Sequence, residues 1–350
     1  MNELRIGHTW KLSEQQDPGE MLPKVVKLLV QIEQEGSLSK VCEKGSMSYR
    51  YAWGLIQQAT HLFNAPLIEM TRGKGSRLTA LGQKLVWAER RVLARLEPIL
   101  DGLASEITRE IDSVLNNTTS SLKIQASHCF AVELLCKRLQ AQQQSVDIHY
   151  CGSLDALSSL TNGLCDVAGF HLPVGESGLD IQIKGGPQLN AEEHLVLVLA
   201  LRQQGLMIQP GNPKKIYRLK DLTARDTRFV HRQLGSGTRF LFDELLENAG
   251  IDPCSLMESG TPEYTHAAVA AYVASGMADA GFGVETAARR FNLEFIPLAA
   301  EHYFLAINKA RMKNAQLQIL LNMIRSALFK ESLEALPGYD ALETGRIVLG

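Results

Sequence analysis

Residues 36–85, GSLSKVCEKGSMSYRYAWGLIQQATHLFNAPLIEMTRGKGSRLTALGQKL, decide the fold of the N-terminal third of the chain. Ser37 and Ser48 each precede a run with helical periodicity, so we expect them to cap two short helices joined by a turn at Gly45. A Gly-rich stretch between two strand-like pieces then predicts a hairpin over residues 67–79. The segment therefore predicts two short helices, a hairpin and a long helix, in that order.

Basic residues are concentrated in this stretch. Over 350 residues the chain has a net charge of −2, with 45% apolar and 21% charged residues, which is a globular composition. From residue 37 to residue 84, however, seven lysines and arginines stand against two glutamates, a local charge of +5. A cationic segment with this order of elements is typical of a winged helix-turn-helix domain, which binds duplex DNA.

The candidate DNA contacts lie mainly on the second short helix and on the hairpin. Polar side chains near the N-terminal end of that helix can reach base edges or phosphates, and Arg50 can bind a guanine through two hydrogen bonds. Any one of the charged residues can equally be a solvated surface side chain. The predicted DNA-binding residues are Ser37, Lys40, Ser48, Tyr49, Arg50, Tyr51, Gln57, Arg72, Lys74 and Arg77.

The same stretch resembles the N-terminal domain of the molybdate-responsive ModE regulators and, more loosely, the winged domain of LysR-type regulators. The resemblance implies a homodimer, or a dimer of dimers, that binds a pseudo-palindromic DNA operator. ModE regulators continue into small β-barrel domains that bind molybdate, and their signature is not found after Ser121. The runs that carry the resemblance are residues 36–39, 48–53, 66–69, 73–75, 78–79 and 82–83.

A long helix is predicted over residues 80–115. Its apolar residues recur three, four or seven positions apart, from Leu81 to Ile111. A small domain cannot bury so long a stripe, so we expect this helix to pair with its twin in a dimer. The alternative is that the helix packs on the second domain of its own chain.

The polar run NNTTSS, residues 116–121, is the predicted linker between two domains, residues 1–115 and 122–350. Beyond it, strand-like and helix-like segments alternate, which predicts an α/β fold with a parallel sheet covered on both faces. Among the predicted strands are residues 194–200 (HLVLVLA), 293–298 (LEFIPL) and 302–308 (HYFLAIN).

Four helix starts in the second domain predict an anion site. Free backbone N–H groups at these starts would meet at one edge of the sheet, and Arg232 and Arg239 would add positive charge. The hydroxyl groups at these positions can instead cap their own helices. Nearby histidines can contact the ligand or make the site sensitive to pH. The predicted ligand-binding residues are Ser127, His128, Gly152, Ser153, His171, Arg232, Ser236, Gly237, Thr238, Arg239, Thr265 and His266.

Residues 122–350 resemble a type II periplasmic-binding-protein domain, the effector fold of LysR-type regulators. They are most similar to the variant that is fused to helix-turn-helix domains and, in other proteins, to enzymes of molybdenum-cofactor biosynthesis. The resemblance implies a two-lobed α/β domain that closes on a small molecule. It rests on residues 126–128 (ASH), 151–153 (CGS), 166–171 (DVAGFH), 232 with 235–239, and 278–283 (ADAGFG).

Several function classes are disfavoured by the sequence. The candidate residues lack the spacing of a metal site, and none pairs a nucleophile with a base, so we predict neither a metal site nor an enzyme. No covalently bound cofactor is expected. The N-terminus has no apolar signal run, and no uncharged stretch reaches the ~18 residues of a membrane helix. Six cysteines without a CxxC pair fit reduced thiols, so we expect a cytoplasmic protein without a membrane partner.

These observations predict a cytoplasmic, homodimeric transcriptional regulator that responds to a ligand. The resemblances at both ends of the chain favour a small anionic effector: molybdate, tungstate or a compound related to the molybdenum cofactor. An organic acid, as in many LysR-type regulators, is the alternative. A lesser alternative is an enzyme subunit of molybdenum-cofactor biosynthesis with an autoregulatory DNA-binding domain.

Overall fold

A computed structural model describes residues 4, 6–11, 21–45, 47–71, 75–114, 121–174 and 186–350. Its packing divides into two compact units: the first is Gly7–Leu93, and the second is Ala94–Gly350 together with the N-terminal residues up to Ile6. The predicted linker, residues 116–121, lies almost wholly outside the described residues, so its role as a domain boundary stays a prediction.

The described residues of the first unit form helices and a hairpin, and from residue 36 onward these follow the order that the sequence predicts. Ser37 and Ser48 start the second and third helices, because their Oγ atoms accept hydrogen bonds from the backbone N–H groups of Lys40 and Tyr51. The elements are α1 (Met21–Glu35), α2 (Leu38–Lys44), α3 (Tyr49–Phe63), β1 (Ile68–Thr71), β2 (Gly75–Leu78) and α4 (Ala80–Val114), of which the last continues into the second unit.

The core of the first unit is small and apolar. Leu29 of α1, Leu38 of α2 and Ile56 of α3 are almost completely buried in one cluster. Burying a side chain of this size stabilises the fold by about 1.5–3 kcal/mol. The hairpin strands β1 and β2 are antiparallel, with Ile68 opposite Leu78.

The long helix α4 matches its predicted span to within one residue. Ala94 is buried against Ala268 and Ala271 of the second unit, to which Ala94 itself belongs. Part of the helix therefore packs on its own chain, as the alternative interpretation had it. Apolar side chains three or four residues apart nevertheless remain exposed on the helix and form what we call the exposed stripe: Ile99, Leu103, Ile107, Ile111 and Val114.

The second unit alternates strands and helices, as the sequence predicts. Three short 3₁₀ helices, Leu219–Thr223, Pro253–Ser255 and Lys309–Arg311, lie in its connections. Its other elements are β3 (Leu122–Ala126), α5 (Phe130–Ala141), β4 (Val146–Tyr150), α6 (Ser153–Thr161), β5 (Val167–Pro173), β6 (His194–Ile208), β7 (Arg228–Val230), α7 (Gly237–Asn248), β8 (Met257–Glu258), α8 (His266–Ala274), β9 (Ala280–Val284), α9 (Glu285–Arg290), β10 (Glu294–Asn308), α10 (Ala315–Arg325), α11 (Ala327–Glu334), β11 (Tyr339–Asp340) and β12 (Ile347–Leu349).

Ten of the described strands form one mixed sheet around two long central strands. The order of neighbours is β4-β3-β5-β10-β6-β9-β7-β8, and β11 and β12 pair with β6. The central strands β6 and β10 have 15 residues each. They run antiparallel to each other and to their outer neighbours, whereas the pairs on either side of them are parallel. Two halves of the sheet are thus joined through β6 and β10.

The central strands correct two sequence-based expectations. The sheet is mixed and not wholly parallel. In addition, the predicted strands 293–298 and 302–308 are parts of the single strand β10, which begins at Glu294, and residues 194–200 are only the first half of β6. The predicted strands were too short because charged side chains interrupt the apolar sequence of β6 and of β10. In the structure the strands continue through these positions, since Arg202 and Glu301 are cross-strand partners that form an ion pair inside the sheet.

Candidate anion-binding site

A buried ion pair lies at the centre of the sheet. Arg202 of β6 and Glu301 of β10 are 1% and 0% exposed, and Arg202 Nε lies 2.5 Å from Glu301 Oε1. Gln204 Nε2 donates to the same oxygen over 2.6 Å. Burial opposes the charged form of Glu301, but the charge of Arg202 and these hydrogen bonds outweigh it and hold the pKa of the carboxyl well below its usual range. Glu301 is therefore a carboxylate at neutral pH.

Glu301 also orients one of the predicted histidines. His171 lies inside β5, and its Nδ1 is 3.0 Å from Glu301 Oε2. The His171 ring stacks on Tyr303, with ring centroids 6.1 Å apart. The Tyr303 hydroxyl in turn donates to the backbone carbonyl of Ser127 over 2.6 Å. Hydrogen bonds and ring contacts thus link residues from β5, β10 and the end of β3.

Two buried guanidinium groups each have an N–H donor without a hydrogen-bond partner among the described residues. Neither Arg202 Nη1 nor Arg232 Nη1 has a hydrogen-bond partner among the described residues. Arg232 follows β7 and is 8% exposed, and its Nε donates to Gln233 Oε1 over 3.1 Å. Burial, and then the nearby charge of Arg202, lower the pKa of Arg232 to about 9, so that it stays cationic at neutral pH. A buried, charged donor without a partner is costly unless an acceptor binds there.

Two further histidines face these arginines. Burial lowers the pKa of His128 to about 4 and that of His266 well below its usual range, and the charge of Arg232 acts in the same direction. Both rings are therefore neutral at pH 7, and both Nδ1 atoms lack a hydrogen-bond partner among the described residues. They offer uncharged hydrogen-bonding groups beside the two guanidinium ions. We call the following residues, which are joined by the contacts above or by the mutual influence of their charges, the anion cluster: Ser127, His128, His171, Arg202, Gln204, Arg232, Thr238, His266, Glu301 and Tyr303.

The predicted helix starts differ in whether a side chain caps the backbone N–H groups of the first turn. Ser236 Oγ and Thr265 Oγ1 accept from the backbone N–H groups of Arg239 and Ala268, so these two hydroxyls cap their own helices. Helices α5 and α6 begin after Cys129 and Gly152, and neither has a side-chain cap. Ser153 Oγ, at the start of α6, is buried without a partner. The starts of α5 and α6 therefore keep donors that an anion can use.

The other predicted ligand residues fall into two groups. Gly237 and Thr238, at the start of α7, lie close to two residues of the anion cluster: a Cβ built on Gly237 would lie 2.4 Å from His171 Cε1, and Thr238 Oγ1 is 3.5 Å from Gln204 Nε2. The Arg239 guanidinium is instead paired with Asp243 on its own helix, with Nε 2.9 Å from Oδ1.

Four members of the anion cluster were not among the ligand residues predicted from the sequence: Arg202, Gln204, Glu301 and Tyr303. Three of them are buried polar residues inside the long strands β6 and β10, whose other residues are mostly apolar. Buried charges are rare unless they are paired, so a charge inside such a strand is itself a signal of a site.

Eight of the ten predicted DNA-binding residues lie in the described part of the first unit, and all eight are exposed or half-buried. Ser48, Tyr49, Arg50 and Tyr51 are exposed at the N-terminal end of α3. Tyr49 stacks on Trp53 with ring centroids 6.5 Å apart. Of the remaining predicted residues, Lys40 and Arg77 are exposed, Ser37 and Gln57 are half-buried, and Arg72 and Lys74 lie outside the described residues.

Two other kinds of feature are not found in the part of the chain that the structure describes. No group of three or more His, Cys, Asp or Glu side chains is arranged to hold a metal ion there. Within those same residues, no helix combines the length and the apolar character that crossing a membrane requires.

Comparison with known proteins gives a family match for the second unit. Residues 136–325 match the family described as PBP superfamily domain. The chain is 35% identical to the uncharacterized protein YvgK of Bacillus subtilis (strain 168) over 221 residues, which are 63% of this chain and 71% of YvgK. It is 42% identical to a protein of the ferredoxin 2Fe-2S gene 5' region of Clostridium pasteurianum over 109 residues, 31% of this chain and 96% of that protein.

Two solved structures align with this chain at low sequence identity and low TM-score. CbnR, a LysR family transcriptional regulator, is 15% identical, with a TM-score of 0.39, 85% of this chain covered and 96% of that chain. An ABC-type phosphate transport receptor from Vibrio cholerae is 16% identical, with a TM-score of 0.44, 63% of this chain covered and 99% of that chain.

Proposed function

The chain belongs to the PBP superfamily, and on that premise we propose that it is a DNA-binding transcriptional regulator whose second unit binds a small anion. The observation that carries the proposal is the pair of buried guanidinium groups, Arg202 and Arg232, each with an N–H donor that has no partner among the described residues. Around them the anion cluster holds one carboxylate, Glu301, which leaves one positive charge in excess. A bound anion would supply both the acceptor and the compensating charge.

The first candidate for the anion is molybdate or tungstate, or a compound related to the molybdenum cofactor. This choice rests on the resemblances at both ends of the chain. The geometry supports it only as far as an oxyanion is concerned, through the guanidinium donors and the starts of α5 and α6. The site is proposed to bind and not to catalyse, because no nucleophile lies beside a base in the anion cluster.

An organic acid is the second candidate, and one observation favours it. Gln204 Oε1 is a buried acceptor without a partner among the described residues, while the Nε2 of the same side chain is bound to Glu301. A fully deprotonated tetrahedral oxyanion has no donor to offer this oxygen. A hydroxy acid offers a carboxylate for the arginines and a hydroxyl for Gln204.

The first unit is proposed to bind duplex DNA. Arg50 and its neighbours are exposed at the start of α3, where a recognition helix contacts base edges. The exposed stripe of α4 is proposed to pair with its twin, since a row of apolar side chains at helical spacing is typical of a helix–helix interface. The resulting homodimer would bind two half-sites of an operator, and closure of the second unit on its anion would change their preferred spacing.

Thermal denaturation of the full-length chain tests the anion site. We expect one of molybdate, tungstate, phosphate, lactate or citrate to raise the melting temperature in a dose-dependent way. The Arg232→Gln variant should lose that response. If none of these anions shifts the wild-type melting temperature, the proposed anion response is wrong.

A gel-shift titration with duplex DNA from upstream of the coding sequence tests the regulatory role. The anion that passes the thermal assay should change the affinity or the half-site preference of the wild-type protein. Identical binding with and without that anion would remove the switch, and no binding at low salt would remove the DNA-binding function.

A further inference from the structure

The segment 263–265, which precedes α8, forms an ion pair and a hydrogen bond with the long helix α4. Glu263 is completely buried, and Arg95 of α4 binds its carboxylate through two nitrogens, with Arg95 Nε 2.7 Å from Oε2. Thr265 Oγ1 donates to the backbone carbonyl of Ala94 over 2.9 Å. Two successive residues of α4 are therefore held by two residues of one short segment, all within the second unit.

The backbone of the same segment is also hydrogen-bonded to residues 231 and 233, which flank Arg232 after the end of β7. Glu263 N donates to the carbonyl of His231 over 2.9 Å, and Gln233 N donates to the carbonyl of Glu263 over 3.1 Å. The backbone of Glu263 thus pairs in parallel with that of Arg232. Burial and the charge of Arg202 lower the pKa of Arg232, while Glu301 and, to a smaller extent, the Glu263 carboxylate favour its cationic form. One buried carboxylate is therefore attracted by two arginines, one on α4 and one in the anion cluster.

We propose that Glu263 couples the occupancy of the anion cluster to α4, because Arg95 and Arg232 compete for its carboxylate. The coupling rests on the proposed anion-responsive function and specifies its regulation. An anion bound to Arg232 neutralises that competitor, so that Arg95 holds Glu263 alone and their ion pair tightens. Since Ala80–Val114 is one continuous helix, a change at Arg95 is passed along α4 into the first unit.

Coupling of this kind is reciprocal, which gives a sharp binding test. In the Arg95→Ala variant the Glu263 carboxylate is left to Arg232 and competes there with the anion. We expect the affinity of the full-length variant to fall about five- to tenfold for whichever of molybdate, phosphate or lactate binds the wild type, as measured by calorimetry. The matched control is Arg289→Ala, which removes an arginine paired with Glu285 on the surface of α9 and should leave the affinity unchanged.

A second variant separates competition from a general loss of packing. In a Glu263→Gln background there is no carboxylate for which Arg95 and Arg232 can compete. Adding Arg95→Ala should therefore not change the anion affinity further. If Glu263→Gln does not fold, hydrogen exchange decides instead. The same anion should slow exchange of the α4 amides around Ala94 about twofold or more in the wild type, and it should not slow them in Arg95→Ala.

The outcomes distinguish the coupling from the function on which it rests. If Arg232→Gln abolishes anion binding while Arg95→Ala leaves affinity and α4 exchange unchanged, the anion site stands and the coupling is wrong. A further loss of affinity from Arg95→Ala in the Glu263→Gln background also contradicts it. If none of the three anions binds the wild type, both the site and the coupling fall.

Discussion

Arg202 and Glu301 are direct cross-strand partners on the two strands that join the halves of the sheet, and their side chains form an ion pair that is hidden from solvent. Neither charge belongs to a local motif, because the residues are 99 positions apart. The pair places a charged site at the point where β6 and β10 run side by side.

Removal of one partner of this ion pair should strongly destabilise the fold. We expect Arg202→Met to lower the free energy of unfolding by about 3–5 kcal/mol, because it leaves the Glu301 carboxylate buried without its main counter-charge. The double variant Arg202→Met with Glu301→Gln should be more stable than the single one. Urea denaturation of the full-length chain measures both. A single variant within about 1 kcal/mol of the wild type would contradict the importance of the pair.

Stability should fall as the pH drops from about 6.5 to 4. Burial, followed by the charge of Arg239, lowers the pKa of His231 to about 4, whereas the unfolded chain takes up this proton near pH 6.5. In that window the unfolded state binds more protons, so stability present above pH 6.5 is lost toward pH 4.

The His231→Phe variant isolates this contribution. The His231 ring packs against Phe229 and Phe242, with ring centroids 4.8 and 5.9 Å away, so phenylalanine suits the surroundings. We expect the variant to lose about 2 kcal/mol less stability than the wild type between pH 7 and pH 4.5. Urea midpoints at several pH values measure the difference, and parallel pH curves for the two proteins would show that the prediction is wrong.

The absence of a side chain at Gly237 leaves room for the His171 ring. An added Cβ would lie 2.4 Å from His171 Cε1, so the ring would have to leave its position beside Glu301. We expect Gly237→Ala to lower the free energy of unfolding by about 1–3 kcal/mol. Gly102→Ala is the control, since a Cβ there meets nothing within 4 Å, and it should stabilise α4 by up to about 1 kcal/mol. Equal denaturation midpoints for the two variants would contradict the close contact.

Arg50 is predicted to contact DNA directly. Arg50→Ala should weaken binding to the operator by about 1–3 kcal/mol, the value of one two-pronged arginine contact to a base. Fluorescence anisotropy at physiological salt measures the affinity, and circular dichroism checks that the fold is intact. Arg289→Ala, on the surface of the second unit, is the charge-matched control. An Arg50 variant that binds as tightly as the wild type would exclude the contact.

The exposed stripe of α4 predicts a dimer interface. Ile107→Glu places a charge within this row of apolar side chains, and we expect the full-length protein to become a monomer in sedimentation experiments at micromolar concentration. Glu106→Gln changes an exposed neighbour and should leave the dimer intact. An Ile107→Glu protein that remains dimeric would show that the subunits associate elsewhere.

Helix starts could be predicted because their signals are local. Ser37 and Ser48 cap the helices that follow them, as expected from a small polar residue before an apolar run. Thr79 does the same for α4, since its Oγ1 accepts from Gly82 N over 3.1 Å. Each of these signals involves residues within three positions of one another.

The centre of the site could not be predicted in this way. Arg202 and Gln204 interrupt the apolar run of β6, and Glu301 interrupts that of β10, so the strands were expected to be shorter than they are. Their pairing depends on the register of two distant strands, which single-chain periodicity does not reveal. The polar residues that obscured the strands are the residues that form the anion cluster.

The contact between α4 and α8 is made by the smallest apolar side chains, Ala94 against Ala268 and Ala271. At such a contact the distance between two helix axes is set by side-chain volume alone. One or two methylene groups added at Ala268 would push the axes apart. In the proposed regulator this would change the anion concentration at which α4 responds, without altering the proposed anion-binding or DNA-contacting residues. The sensitivity of the proposed switch would then be adjustable at a single position, by drift or by engineering.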